Sequence, residues 1–299
     1  MKSRLKLEHL KAFVAVAEAG ELADAGTRLG RTPAALSMTL KQIEEDLGGA
    51  LFEGERKGRL TPLGAYALEK ARRALVEFDN AVENIQNFAS GSLGLARVAA
   101  VPSAATRLVS LAVARLRDQR PGVRIDLRDI DSVAVAEAVG LGSVDFGIAS
   151  LSEAARALRA EPLLEDPFVL VCPAQHRLTQ LRRPVRWEDI DADDFVANGL
   201  CAHIAAPAVA LLVAQSRLVV RNTTSLLTLV ERGFGVTLLP KLAAPDSGTL
   251  RSLVLADPAA TRQLKILTRH GETLNPAAAA LLQAAREVAG ELVAAGQAA

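Results

Sequence analysis

The sequence is short of cysteine, of aromatic rings and of net charge. Two cysteines among 299 residues, Cys172 and Cys201, cannot build a disulfide framework, which fits a reducing compartment. Aromatic residues make up 3% of the chain and apolar residues 50%, so its cores must be built from Leu, Val and Ala. The formal charge of +1 argues for no particular partner. No apolar run approaches the length that spans a bilayer, and the start, MKSRLKLEHLK, lacks a signal-peptide core. A cytoplasmic protein without a membrane partner is the expectation. The histidines, His9, His176, His203 and His270, are scattered without metal spacing. Gly140 and Gly142 lack a third glycine and follow a helical stretch, which excludes a dinucleotide fingerprint. Neither a metal nor a cofactor is expected.

What is present is unevenly spread. Residues 1–75 hold 13 Lys/Arg against 10 Asp/Glu, a net of +3, and the remainder is slightly acidic, a weak nucleic-acid signal. Within that region lies TPAALSMTLKQIEEDL, residues 32–47. Leu36, Leu40, Ile43 and Leu47 recur at helical spacing as one apolar stripe. Thr32 suits the helix cap and Pro33 the first helical position, where its missing N–H costs nothing. The opposite face carries Ala34, Ser37, Met38 and Lys41, small at one end and polar or cationic beyond, so it can enter a groove.

Upstream, Leu7, Leu10, Val14 and Ala17 line a first helix ending near Gly20, and Leu22–Leu29 forms a short second helix rich in small residues. The tight turn Gly30-Arg31 leads to the third helix, a helix-turn-helix arrangement. Downstream, EGERKGR between Leu51-Phe52 and Leu60 reads as a two-stranded wing. Its tip near Lys57-Gly58 would bring Arg56, Lys57 and Arg59 to phosphates or the minor groove; alone, such a run would be a solvated loop.

Thr61-Pro62 repeats the cap-then-proline signal and opens a long helix reaching about Phe88. Leu68, Ala71, Leu75, Phe78, Val82 and Ile85 follow at steps of three and four, a heptad seam. The seam predicts dimerisation through this helix, with packing on the chain's own core as the alternative. Ala89–Gly94 is a hinge by composition. After it, strand-like and helical stretches alternate: strands at 95–101, 123–129, 145–150, 167–172, 194–198, 217–221, 236–240 and 265–269, and helices over about 104–119, 132–141, 206–215, 224–232 and 276–294. This is the signature of a parallel α/β sheet, read as two subdomains with a small-molecule cleft between them.

Taken together, LEHLKAFVAVAEAG (7–20), ALSMTLKQIEEDLGGALFE (35–53), RLTPLG (59–64), RVAAVPS (97–103) and ERGFGVTLLP (231–240) resemble the LysR-type transcriptional regulators over nearly the whole chain. The resemblance implies a winged helix-turn-helix DNA-binding domain (1–61), a dimerising linker helix (62–89) and an effector-binding domain (90–299). The last would resemble periplasmic binding proteins, with subdomain I at about 95–160 and 268–299 and subdomain II at about 161–267. It further implies homotetramers on interrupted palindromes in double-stranded DNA, a small-molecule effector and RNA polymerase as a further partner. The chain departs from the family pattern at Pro33, where Gln is common, and at Met38, where Arg is frequent. A Gly-Ser-rich loop of the family is replaced here by Asn198–His203.

Positions matching the family's effector cleft are Ser103, Ser132, Asn198, Cys201, His203, Thr223 and Thr224. Ser103 and Thr224 each sit where a helix begins, and would either receive an anion or simply cap the helix. Cys172 reads as a buried small hydrophobe. Cys201 lies near where peroxide-sensing members place a reactive cysteine; with no second cysteine following, a ligand-contacting or structural thiol is expected. The rival reading is a cytoplasmic enzyme with Cys201 as nucleophile and His203 as base. Residues two apart need not face each other, and no orienting acid is near in sequence. A solute receptor is opposed by the missing signal peptide and by residues 1–88.

Overall fold

The computed structural model describes residues 5–54, 57–89, 94–150, 158–245, 247–271 and 273–297. The chain divides into two compact units, one holding Met1–Ser92 and the other nearly all of the chain from Leu93 onward.

The first unit is built from α1 (Leu7–Ala19), α2 (Leu22–Leu29), α3 (Pro33–Leu47) and α4 (Pro62–Ala89). In α1 the deepest residues are Ala12, Phe13 and Val16, while the expected stripe Leu10, Val14 and Ala17 is half-buried beside them. The reason is that α1 packs on α2, α3 and α4 at once. Its core is centred on the Phe13 ring, which meets Phe52 edge to face with centroids 5.7 Å apart. Leu36, Leu40 and Ile43 of α3 are buried as their spacing predicts, but Leu47 is exposed, on the last turn before the left-handed cap at Gly48.

Gly26 lets α2 and α3 close on each other, since a Cβ there would lie 2.6 Å from the Arg31 carbonyl oxygen. Between α3 and α4 the chain makes a minimal ribbon: Phe52 bridges Leu60 antiparallel, and the Glu53 amide donates to Arg59 O at 2.7 Å. Gly64 admits this ribbon against α4, because a Cβ would sit 1.9 Å from Leu51 O.

The second unit is a mixed, curled sheet with helices, in the order β2-β1-β3-β9-β4-β7, with β8 also on β4. Strands β1 (Leu95–Ala100), β2 (Arg124–Asp129) and β3 (Phe146–Ala149) are parallel, as read from the βα alternation. Strand β9 (Thr261–Arg269) is antiparallel to β3 and to β4 (Leu158–Pro173), so the sheet is not all-parallel. β4 is one strand of 16 residues where the sequence suggested only 167–172. Pro162, Pro167 and the carboxylates Glu161, Glu165 and Asp166 hide its first half; the register shifts between Pro162 and Leu164. At Pro167 β4 leaves β9, and from Phe168 it pairs with β7 (Thr237–Pro240), while β8 (Leu250–Val254) joins it from Val169. β8, too short and too interrupted by charge to stand out in the sequence, is new. Strands β5 (Val196–Ala197) and β6 (Leu218–Val219) form a separate parallel pair.

Two large cores and a smaller one follow from this layout; the smaller packs Val169, Val171 and Leu239 against Leu226 and Val230 of the helix Thr223–Glu231. One large core gathers β1, β3 and the start of β4 under α6 (Ser110–Gln119), α7 (Ser132–Leu141) and α10 (Pro276–Gln297). The other packs the end of β4 and β7 against α8 (Pro207–Gln215) and the segment 178–204. β4 runs through both subdomains, pairing with β9 over its first half and with β7 and β8 over its second.

Candidate DNA-reading face and effector cleft

In the first unit Thr32 Oγ1 accepts from the Ala35 amide at 3.2 Å, and Pro33 occupies the first position of α3. Ala34, Ser37, Met38 and Lys41 are all exposed on the face away from the core, Met38 at 75%. Single exposed apolar side chains are common on folded proteins, so it is the position of Met38 on this face, not its exposure, that bears on function.

The wing differs from expectation at one residue. Lys57 does not project; in a left-handed conformation (φ 53°), it turns back to lie 3.7 Å from Glu44 Oε1 and 5.5 Å from the Phe52 ring centre. The cause is Glu44, whose carboxylate also accepts the Leu51 amide at 2.8 Å and so sits beneath the ribbon. Arg59 is well exposed with Glu53 3.2 Å away, and Arg56 lies outside the described residues.

The seam on α4 divides in two. Ala71 is buried and Leu68 half-buried in the first unit's own core, and Arg72 Nη2 and Nε both donate to Glu18 Oε1, at 2.8 and 3.0 Å, tying α4 to α1. The alternative of packing on the chain's own core therefore takes the N-terminal part of the seam. Leu75 is half-buried, while Phe78, Val82 and Ile85 are exposed, Ile85 at 69%.

In the second unit the expected cleft residues part company. Ser103 Oγ, on the short helix α5 (Pro102–Ala104), accepts from Arg262 Nη2 at 2.6 Å. Arg262 and Asp166 face each other across β9 and β4 and form a buried ion pair, with Nε and Nη2 at 3.1 and 2.8 Å from Asp166 Oδ2. Asp166 Oδ1 accepts the Leu242 amide at 3.0 Å, just beyond β7. Burial pushes the Asp166 carboxyl up, against the pull of Arg262 and of the amides of Leu242 and Lys241. Burial, and then the Arg262 cation, push the His203 imidazole down. Ser103 is thus brought to a charged pair that the sequence did not announce, because its members stand 96 residues apart; His203 is exposed and, among the described residues, bonded to neither member.

The other positions are occupied differently. Asn198 is buried, with its amide nitrogen on Thr237 Oγ1 and Leu238 O, each at 2.9 Å, and its oxygen on the Leu200 amide at 2.9 Å. Its donors and acceptor are spent on stapling the loop. Ser132 Oγ accepts the Ser150 amide at 3.3 Å. Neither Ser103 nor Thr224 caps its helix: Val101 precedes the first, and Asn222 Oδ1 takes the Ser225 amide at 3.1 Å in α9 (Thr223–Glu231). Thr224 is exposed and Thr223 half-buried. Cys201 is buried and its thiol is pushed up by that burial; Cys172 is pushed up to about 11, chiefly by burial and then by Asp194. Both thiols are protonated and shielded, the reverse of what a nucleophile needs. Among the described residues no group of three or more His, Cys, Asp and Glu could hold a metal ion, and no helix is long and apolar enough to cross a membrane.

Residues 7–65 match the bacterial regulatory helix-turn-helix proteins of the lysR family, and residues 89–290 match the LysR substrate binding domain. The chain belongs to the LysR family. This LysR-type chain is 29% identical over 286 residues to the uncharacterized HTH-type transcriptional regulator YbhD of Escherichia coli K12, covering 91% of this chain and 88% of that protein. It is 30% identical over 264 residues to a probable hydrogen peroxide-inducible genes activator of Mycobacterium avium, covering 85% and 83%. Among solved structures, CbnR, a LysR family transcriptional regulator, shares the fold with a TM-score of 0.69 at 21% identity, covering 95% of this chain and 99% of that one. Full-length CbnR complexed with its target DNA gives 0.68 at 20% identity. The LysR-type protein is a DNA-binding transcriptional regulator and not an enzyme, and its C-terminal unit is of the kind that binds small-molecule effectors.

Proposed function

We propose that this regulator reads double-stranded DNA with the outward face of α3, Ala34, Ser37, Met38 and Lys41. Thr32 and Pro33 set the start of that helix, and Arg56 and Arg59 supply phosphate contacts from the wing. Lys57 serves the wing's own packing instead. The observation that carries this reading is the exposure of all four α3 residues on the side away from a helix-turn-helix core. Two copies join along the exposed end of the α4 seam, through Phe78, Val82 and Ile85, and pairs of dimers sit on an interrupted palindrome in the cytoplasm. RNA polymerase is the protein partner downstream.

The effector lies in the cleft between the α/β subdomains, against Ser103, His203 and the start of α9 at Thr223 and Thr224. Ser103 follows β1 in α5 and Thr223 opens α9 after β6, and the loops that follow strands are the usual place for a ligand in an open α/β sheet. Ser132, Asn198 and Cys201 shape the walls. The test is a thermal-shift screen of the full chain against metabolites, since a ligand that binds only the folded state raises its midpoint. Each hit is then added to a DNA-binding titration. A hit that raises the midpoint but leaves DNA affinity and DNA bending unchanged would sink effector control at this site.

A further inference from the structure

Of the four residues on the outward face of α3, only Lys41 is cationic. Among the described wing residues, Lys57 is paired with Glu44 and Arg59 shares its charge with Glu53. The geometry points to Arg31, in the turn before α3, as a phosphate clamp on the flank of the recognition helix. This rests on the reading that α3 enters the groove by its outward face.

Two features hold Arg31 in place. Its amide donates to Gly26 O at 3.0 Å, and its carbonyl oxygen lies where a Cβ on Gly26 would come within 2.6 Å, so the backbone is fixed by a turn that needs glycine at 26. Its Nη2 donates to Thr39 Oγ1 at 3.3 Å, and the Thr39 hydroxyl donates in turn to Ala35 O at 2.9 Å. The side chain therefore lies along α3 beside Ala35 and Thr39. At roughly 100° per residue, that flank falls between the outward face and the buried stripe. A helix seated in a major groove turns such flanks to the phosphate walls, while its centre meets base edges.

The chemistry agrees. Thr39 is a neutral hydroxyl, so holding Arg31 does not cancel its charge, in contrast to the carboxylates beside Lys57 and Arg59. Arg31 is exposed, and one bond uses little of a guanidinium's five-donor fork, which suits bidentate phosphate recognition. A side chain already held against the helix loses less rotamer freedom on meeting a phosphate.

The test needs no known operator, because a phosphate contact is blind to sequence. The full chain is titrated by fluorescence anisotropy against a random-sequence duplex and against a duplex that the protein itself enriches from a random pool, between roughly 50 and 200 mM salt. Arg31→Ala is expected to lower the slope of log affinity against log salt by about 0.9 for each DNA-binding domain seated. Affinity at 0.1 M salt is expected to fall about eightfold per seated domain, equally on both duplexes. Arg31→Lys restores the slope, and Thr39→Val keeps it while weakening binding less. An Arg31→Ala protein with the parent's slope overturns the clamp, and a loss confined to the enriched duplex replaces it with a base contact. Lys41→Ala separates the failures. If it lowers the slope and Arg31→Ala does not, only the clamp is wrong; if neither does, the outward face of α3 is not the DNA surface.

Discussion

In the proposed reading of DNA, Met38 sets the terms. A thioether has no donor to offer a guanine, and on an exposed helix face its natural counterpart in the major groove is the thymine methyl. Replacing thymines by uracil in an enriched duplex deletes only that methyl. Each lost contact is expected to cost about 1 kcal/mol, roughly fivefold in affinity by anisotropy titration. Met38→Ala should then make the two duplexes equivalent; a parent protein indifferent to uracil refutes methyl reading. His203 offers a second check. As a base whose folded pKa is lowered, it favours folding fully above the ordinary histidine range near 6.5, and that contribution is lost as pH falls. An NMR titration should place its midpoint below that range. The Arg262→Met/Asp166→Leu pair, which leaves no orphaned charge, should raise it; an unmoved midpoint denies the Arg262 influence. At this scale the sequence was legible where the interaction is local. The Thr32 cap lies three residues from its partner amide, whereas Ser103 and Arg262 are 159 residues apart and Lys57 is turned inward by a glutamate 13 positions earlier.

Among elements, α4 carries one apolar stripe that is buried at its start and exposed towards its end. The spacing that announced a seam was real, but spacing does not say what covers it. Ala71 and Leu68 belong to the core with Phe13, and the exposed remainder begins around Phe78. Val82→Asp and Ile85→Asp are therefore expected to weaken self-association without unfolding the first unit. Burying an unpaired charge costs at least about 2 kcal/mol, so the dissociation constant in sedimentation equilibrium should rise by roughly thirtyfold or more. Ala71→Asp should instead unfold the domain. A parent-like sedimentation profile for Val82→Asp and Ile85→Asp together would remove α4 from the dimer contact. β4 shows the converse limit of sequence reading: two prolines and three carboxylates disguised half of a strand that the fold extends through both subdomains.

For the whole molecule, the alternation of strands and helices revealed an α/β unit and the parallel β1–β3, but not the antiparallel strands. β9 and β4 are made antiparallel by a return of the chain that no local pattern records. Their facing charges form a relay from Ser103 through Arg262 and Asp166 to the Leu242 amide, joining one subdomain to the other. Asp166→Asn removes the counter-charge and leaves Arg262 buried, which is expected to cost about 3–5 kcal/mol. In calorimetry the transition of the C-terminal unit should shift down while that of the N-terminal unit stays. The Arg262→Met/Asp166→Leu pair should be far milder. Equal losses for the single and the paired change would show that the relay matters for shape rather than charge.

The late arrival of β9 also imposes an order on the making of the protein. The helix-turn-helix and α4 are complete by Ala89, but the sheet of the second unit cannot close until β9 ends at Arg269. At ribosomal speeds of about 5–20 residues per second, that interval is on the order of ten to forty seconds. During it, the growing chain holds a finished DNA-reading head and an α/β body still lacking its central strand. The part that binds DNA is therefore born before the effector-binding part is whole.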